Sequence, residues 1–356
     1  MTKIAVINDT HWGARSDNAA FAEYFIKFYK EIFFPKLREE GIKTIFHLGD
    51  VCDRRKYINF VTAKNLEENF MKICAEEGID IHLIAGNHDT FYKNTNEVNC
   101  LRQLYGNSKY GNIHIYWEKP VEIVIDDCKV MLAPWLCADN WKESFDLFKS
   151  TDAQTLFGHF EFQGFEMMKG QLCAHGLDKK VFNKFDAVYS GHFHHPSTID
   201  NITYLGAPYE MNWSDYDQKR GFSIFDTSDR SVTHVENPLR MFHKIQYDDT
   251  DMTIEDIALL DTSKLTNTHI KVIIVSKSNP YIFDLFLDKL QAAAPCDIKV
   301  VEDHMNLDVI DESELVDEAQ DTLTILKQYV SNLEINSDKE KVQAVLDELY
   351  EEAISL

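Results

Sequence analysis

The stretch GHFHHP, Gly191 to Pro196, places three histidines in four positions beside a glycine. That is poor material for an apolar core, and imidazole nitrogen is a ready ligand for borderline divalent cations. Comparable polar clusters recur earlier in the chain: Asp9 and His11 in NDTH, Asp50 and Asp53 in GDVCD, Asn87 and His88 in GNHD, and His159 in GHF. Together they offer imidazole nitrogen, carboxylate oxygen and amide oxygen, a mixture that Mn2+, Fe2+ and Zn2+ accept. No thiolate takes part, which argues against a structural zinc site. In an extended segment residues i and i+2 face the same way, so Asp9 with His11, and His192 with His194, are expected to present two side chains to one side. Asp50 is the natural shared carboxylate, because Gly49 lets the backbone turn tightly just before it. Any one cluster alone reads more simply as a turn or a solvated side chain. Five in one chain, each closing an apolar run, do not.

Those runs are KIAVIND (3–9), TIFHLGD (44–50), IHLIAGNHD (81–89), TLFGH (155–159) and AVYSGHFHH (187–195). Short apolar runs that stop at polar, turn-prone residues predict buried strands. Between the early ones, AAFAEYFIKFYKEIFFPKLREEG and FVTAKNLEENFMKICAEEG read as helices, and each ends on a glycine, Gly41 and Gly78, suited to a left-handed cap. Alternating strand and helix predict an α/β layered sheet whose ligands gather beyond the carboxyl ends of strands. VEIVIDDCKVMLAPW and NITYLGAPYE are strand-rich without helices between them, which predicts added mixed or antiparallel strands. The division expected is a metal-bearing domain over 1–238, a small capping domain over 239–305 and a helical segment over 306–356. The capping domain reads as a β-α-β unit of MFHKIQY, KVIIV, helical YIFDLFLDKLQAA and DIKVVE. In the last segment Leu315, Ala319, Leu323, Leu326, Val330 and Leu333 make one apolar stripe, and Ser337 opens a capping box before a second helix.

Of the 356 residues, 44% are hydrophobic and 27% charged, with no apolar run near the ~18 to 20 residues of a membrane span. The start, MTKIAVIND, lacks the apolar region of a secretory signal, so the chain is expected in the cytoplasm. Seven scattered cysteines without a CxxC pair fit reduced thiols there. Net charge is −23, and from Val301 onward 16 acidic residues stand against 3 lysines, so −13 of it lies in the last 56 positions. A polyanion repels nucleic acid in bulk. Arg15, Arg54, Arg55, Lys56 and Lys93, beside the motifs, are therefore the candidates for sequence-independent contacts to backbone phosphates.

In their order, DTHWG, GDVCD, GNHD, GHF and GHFH resemble the signature of the calcineurin-like metallophosphoesterases. Protein phosphatases of that superfamily end the second motif in Asp-Arg-Gly and carry GNHE in the third. Here GDVCDRR lacks that glycine and the third motif is GNHD, so the nuclease and phosphodiesterase branches fit better. Within them the chain resembles the SbcD-type nuclease subunits of SbcC-SbcD DNA-repair complexes, related to the meiotic-recombination nucleases, and looks most like bacteriophage-encoded members. GDVCDRRKYIN, IAGNHDTFYKN, APWLCADN, GHFEFQGF and LGAPYE through RGFSIFDT carry the similarity, which covers most of the chain; the tail matches by layout more than by letters.

The resemblance implies a four-layer α/β/β/α sandwich with a small α/β capping domain and C-terminal helices. It implies that Asp9, His11 and His194 hold one divalent ion and Asn87, His159 and His192 another, with Asp50 shared; Mn2+ comes first, with Mg2+, Fe2+ or Zn2+ as alternatives. Two such ions ~3.5 to 4 Å apart lower the pKa of a water and clamp the reacting oxygens. His88 is then the catalytic histidine, oriented by an Asp53 carboxylate that accepts a ring N–H, while Asp89 is structural and His195 matches no ligand position. The implied activity is that of a DNA nuclease in replication, recombination and repair, a 3′ to 5′ double-strand exonuclease and single-strand endonuclease. Implied partners are DNA, an SbcC-type coiled-coil ATPase bound through the C-terminal helices, and a second copy of the chain. For the homodimer FVTAKNLEENFMKIC is a candidate surface, although a core helix is the simpler reading of it. If phage-encoded, the protein works in the host cytoplasm. The alternatives are a small-molecule or cyclic-nucleotide phosphodiesterase and a scaffold subunit with little catalysis.

Overall fold

Apolar, β-prone runs pair into two six-stranded sheets in the computed structural model, which describes residues 2–107, 110–168 and 171–302. The first sheet runs parallel through Lys3–Ile7, Thr44–His47, Asp80–Ile84 and Ile113–Tyr116. Gly221–Asp226 and Val232–Glu236 extend it as antiparallel strands beyond Lys3–Ile7. In the second, Cys128–Ala133, Thr155–His159, Ala187–Gly191 and Ile202–Tyr204 are parallel, with Val121–Ile125 and Ser197–Ile199 as antiparallel edges.

The facing surfaces of the two sheets bury Ile4, Val6, Phe46, Leu48, Phe157 and Phe225. Outside the first sheet lie the helical runs 19–40 and 60–76, whose Phe25, Phe28, Phe33 and Phe70 pack with Ile45 and Ile81. Helix Trp141–Ser150 contributes Phe148 to the core outside the second sheet. The result is the expected α/β/β/α sandwich, in which each sheet has both faces covered. Trp141–Ser150 corrects the expectation that no helix intervenes between the later strands: Trp141, Phe145 and Phe148 recur at helical spacing and pack ring on ring at 4.6 and 5.7 Å, a stripe that the strand-rich reading of this region passed over. Both long runs contain a π turn, Tyr29–Phe33 and Glu67–Met71. The first stops just ahead of Pro35, which has no N–H to donate into a regular α turn. Tyr29 stacks on Trp12 at 5.2 Å, and Trp12 N donates to Val51 O at 2.8 Å, which ties this helix to the loops that carry the motifs.

Phe242–Asp248, His269–Ser276 and Asp297–Glu302 form a separate parallel sheet with a core of its own, including Tyr247, Ile270, Val272, Phe283, Phe286 and Leu290. Pro280–Gln291 is the helix read from sequence. Ile254–Leu259, closed by a capping box of Thr253 and Asp256, is an added one with Ile257 as its buried residue. The stripe from Leu315 and the capping box at Ser337 lie outside the described residues. All seven cysteines are free. Among the described residues no helix is long and apolar enough to cross a membrane.

Candidate metal centre

Strand alternation is not what pairs Asp9 with His11. Their strand stops at Ile7, and Asp9 (φ 50°) and His11 (φ 40°) are both left-handed, as are Asp50 (φ 53°) and His192 (φ 88°). Residues with a Cβ seldom adopt this conformation, and its concentration in three motifs is strain held by the surrounding contacts. Asp9 N donates to Gly49 O at 3.0 Å and His11 N to Asp50 O at 3.1 Å, so the first motif is laced to the second. His192 and His194 likewise part company instead of sharing a side, His192 meeting Asp50 and His159 while His194 meets Asp9 and His11. The glycines allow the close approach: a Cβ on Gly86 would fall 2.2 Å from Asp50 Oδ1, and one on Gly49 2.7 Å from His159 Nδ1.

Two groups of donors result, Asp9 with His11 and His194, and Asp50 with His159 and His192, each with its ligand atoms within 4.8 Å of one another. In the first, His11 Nε2 lies 3.1 Å from His194 Nε2. In the second, Asn87 Oδ1 lies 2.9 Å from His159 Nε2 and 3.0 Å from His192 Nδ1. Asp50 stands between them, its Oδ2 3.3 Å from His159 Nε2 and 3.8 Å from His11 Nε2, while Oδ1 accepts from His88 N at 2.8 Å. Two imidazole nitrogens facing each other need a proton or a cation between them, because each otherwise presents a lone pair. Inward-facing nitrogen and oxygen donors around buried space fit borderline divalent cations.

Burial alone would lower the His11 imidazole, but contact with Asp53 and the charges of Asp50 and Asp9 carry it up to about 10. Burial would likewise lower His159, but Asp50, Asp9 and the Leu48 carbonyl together raise it to about 9. His194 goes the other way, pushed well down by burial and by the positive charges of His11 and Arg220. Burial would raise the Asp50 carboxyl, yet His159 and His88 hold it well below the usual carboxylate range. The pocket is thus electrostatically paired, and its protons sit on some of the atoms a cation would need.

The Asp53 carboxylate does not meet His88 as expected: His88 Nδ1 donates to the Asp53 backbone carbonyl at 2.6 Å, whereas the carboxylate lies 3.2 Å from His11 Nδ1. His195 turns its Nδ1 to Gln218 Oε1. Asp89 accepts from Cys52 N at 3.0 Å, Gly86 N at 2.9 Å and Cys100 Sγ at 3.4 Å. Cys52, Asp89 and Cys100 also make a third cluster of ligand types, but both oxygens of Asp89 are already engaged by N–H donors, so we read it as a staple between the second and third motifs. Of the basic candidates, Arg54 is committed to Asp17 at 2.7 Å and to the Tyr57 ring at 5.0 Å. Arg55 keeps a buried Nη1 without a hydrogen-bond partner, and burial lowers its guanidinium. Arg15, Lys56 and Lys93 are exposed.

Sequence reasoning missed Arg220 and Asp215. The Arg220 side chain is wholly buried; it donates to His194 O and to Asp215 Oδ1 at 2.6 Å, and so supports the loop that carries His194. In sequence, SDYDQKRG looks like solvated surface, and no local signal marks its burial. Glu161, two positions after His159, was also passed over, although a lone carboxylate between phenylalanines was a usable signal. Trp135 packs on His192 at 5.2 Å and on His159 at 6.0 Å, giving the second group an apolar wall.

The family model for calcineurin-like phosphoesterases matches residues 2–196. The chain is 30% identical over 354 residues to exonuclease subunit 1 of Enterobacteria phage T4, with 99% of each chain covered. It is 23% identical over 248 residues to the D subunit of the nuclease SbcCD from Staphylococcus saprophyticus, covering 60% of this chain and 63% of that one. Against the corresponding protein of Staphylococcus epidermidis the figures are 24% over 275 residues, with 65% and 70% covered. A match over more than half of the chain, on the segment that holds every candidate ligand, settles its kinship: the chain belongs to the calcineurin-like phosphoesterase family.

Proposed function

We propose that the chain is a metal-dependent DNA nuclease, the nuclease subunit of an SbcCD-type complex, with Asp9, His11, Asp50, Asn87, His159, His192 and His194 as its centre for two divalent cations. The observation that carries this reading is Asp50 Oδ2, poised between His159 Nε2 and His11 Nε2 at 3.3 and 3.8 Å. Asp9, His11 and His194 would hold one cation, Asn87, His159 and His192 the other, and Asp50 both. When bound, such a pair supplies a nucleophile at neutral pH and offsets charge on the phosphoryl oxygens. Mn2+ suits this mixture of nitrogen and oxygen donors, with Mg2+, Fe2+ and Zn2+ as alternatives.

His88 donates Nδ1–H to the Asp53 carbonyl, which turns Nε2 to the scissile phosphodiester, where the imidazolium form would give its Nε2 proton to the leaving oxygen. Arg55 brings its unpartnered Nη1 to a phosphate oxygen, and Arg15, Lys56 and Lys93 meet backbone phosphates farther along the strand. DNA as substrate is supported by the relatives, which are named as an exonuclease subunit and as nuclease subunits. We assign nuclease, capping and partner-binding roles to 1–238, 239–305 and 306–356. The last binds a coiled-coil ATPase of SbcC type. A second copy docks on the outer face of run 60–76, where Phe60 and Val61 are 91% and 65% exposed.

The test incubates the purified chain with Mn2+ and, separately, linear DNA, circular single-stranded DNA, bis-p-nitrophenyl phosphate and cyclic nucleotides. Degradation of linear duplex from 3′ ends, with nicking of the single-stranded circle, is expected. Turnover of cyclic nucleotides with DNA left intact moves the assignment to a small-molecule phosphodiesterase. Deleting residues from 306 onward should abolish co-purification with the ATPase; retained co-purification places the partner site elsewhere.

A further inference from the structure

Among the polar side chains around the pocket, Glu161 has no part in the metal centre described so far. Its Oε2 lies 3.4 Å from His192 Nε2, on the ring edge opposite the Nδ1 that approaches Asn87 Oδ1 at 3.0 Å. We propose that Glu161 is a positioning residue: it keeps the His192 proton on Nε2 and so turns the Nδ1 lone pair to the Asn87 side, ready for the second cation. The inference rests on the metal-centre reading and adds a residue to it.

An imidazole ligates through one nitrogen and keeps its proton on the other, and an acceptor at the far nitrogen selects which is which. A carboxylate does this more strongly than a neutral carbonyl, since the bond is charge-assisted. Glu161 is itself fixed. Cys173 Sγ donates to its Oε1 at 3.5 Å, and its backbone carbonyl accepts from Leu177 N at 2.7 Å. Because Glu161 follows His159 by two positions, one short segment supplies a ligand and the support for a second ligand. Trp135 and Phe193, at 5.2 and 5.0 Å from the His192 ring, confine it without offering a competing acceptor. The other group has a counterpart in Asp53, whose carboxylate lies 3.2 Å from His11 Nδ1. Each group thus has one histidine backed by a carboxylate.

The test titrates EDTA-treated full-length wild type, Glu161→Ala, Glu161→Gln and Glu161→Asp with Mn2+ alone, by calorimetry and by the electron-paramagnetic signal of free Mn2+. Wild type should bind two ions. In Glu161→Ala one ion should weaken by about 10- to 100-fold, the usual cost of losing such a support, while the other changes by less than about twofold. Manganese anomalous peaks in soaked crystals should fade at Asn87, His159 and His192 and persist at Asp9, His11 and His194. Glu161→Gln, whose amide oxygen still accepts Nε2–H, should recover most of the loss. Glu161→Asp, with its acceptor drawn back by one methylene, should not. Wild-type affinity for both ions in Glu161→Ala overturns the proposal. So does glutamine no better than alanine, and so does an equal loss of both ions accompanied by a lower urea midpoint, which marks a general structural role. A wild-type chain that takes up no Mn2+ overturns the metal-centre reading itself.

Discussion

The two donor groups use the same residue types and reach their geometry by different routes. The group of Asp9, His11 and His194 is made by loops: Asp9 and His11 are left-handed, and His194 rests on the buried Arg220, itself paired with Asp215 at 2.6 Å. Its two imidazoles face each other nitrogen to nitrogen at 3.1 Å. The group of Asn87, His159 and His192 is closer to regular structure. His159 is the last residue of a strand, its Nδ1 is held by Leu48 O at 2.7 Å, and a neutral amide oxygen sits between the two rings. Two of the three ligands of the first group sit in left-handed backbone, against His192 alone (φ 88°) in the second, where His159 is set by the end of its strand. Remote changes and protons should therefore disturb the first group more readily than the second.

The bluntest way to break that contrast is Asp50→Ala. It removes the carboxylate common to both groups, so bound metal should fall to background together with at least about 1,000-fold of phosphodiester cleavage, read by elemental analysis and by rates on bis-p-nitrophenyl phosphate. Retention of one ion at full occupancy would show that the groups are independent. His88→Ala should leave the contrast intact: two ions stay bound while cleavage falls by about 100- to 10,000-fold, the range of a general acid. Unchanged turnover in a metal-loaded His88→Ala protein removes that role.

Arg220→Met separates the groups. Deleting one partner of a buried ion pair costs about 3 to 5 kcal/mol, because Asp215 is left without its countercharge. The urea midpoint should drop, and where the chain still folds, metal should be lost from the Asp9 side first. Equal loss on both sides would deny that Arg220 acts through His194.

Protons give a gentler probe. His11 and His159 have folded values raised to about 10 and about 9, against 6.5 for the free side chain. For the EDTA-treated protein the associated stabilisation is complete below pH 6.5 and is lost as pH climbs through 9 to 10. A cation must displace those protons, so Mn2+ affinity should rise between pH 6.5 and 8.5, by up to about tenfold per pH unit for each proton released. Calorimetry in buffers of different ionisation enthalpy counts the protons directly, and a flat profile would contradict the pairing of these histidines with Asp50.

Much of this was legible in the sequence, because buried parallel strands write themselves as apolar runs and their polar ends stand out. The candidate ligands, the layered sheets and the unit of Phe242–Asp248, His269–Ser276 and Asp297–Glu302 followed from that. What escaped depends on contacts distant in sequence. Nothing near Arg220 announces that its side chain will be buried under His194, 26 positions away. The left-handed turns at Asp9 and His192 replaced an alternation that the spacing alone had suggested. Residue type pointed to the Asp53 carboxylate as the partner of His88, and only the fold reveals that the Asp53 backbone carbonyl makes that contact while the carboxylate faces His11. Short helices such as Ile254–Leu259 bury too little to leave a periodic mark.

Diffraction from a Mn2+-soaked crystal, collected at the manganese edge, tests the central claim most directly. Two anomalous peaks about 3.5 to 4 Å apart are expected, bridged by Asp50, with His11 and His194 around one and Asn87, His159 and His192 around the other. No peak, or a lone peak that leaves the His11 and His194 nitrogens facing each other, would contradict it.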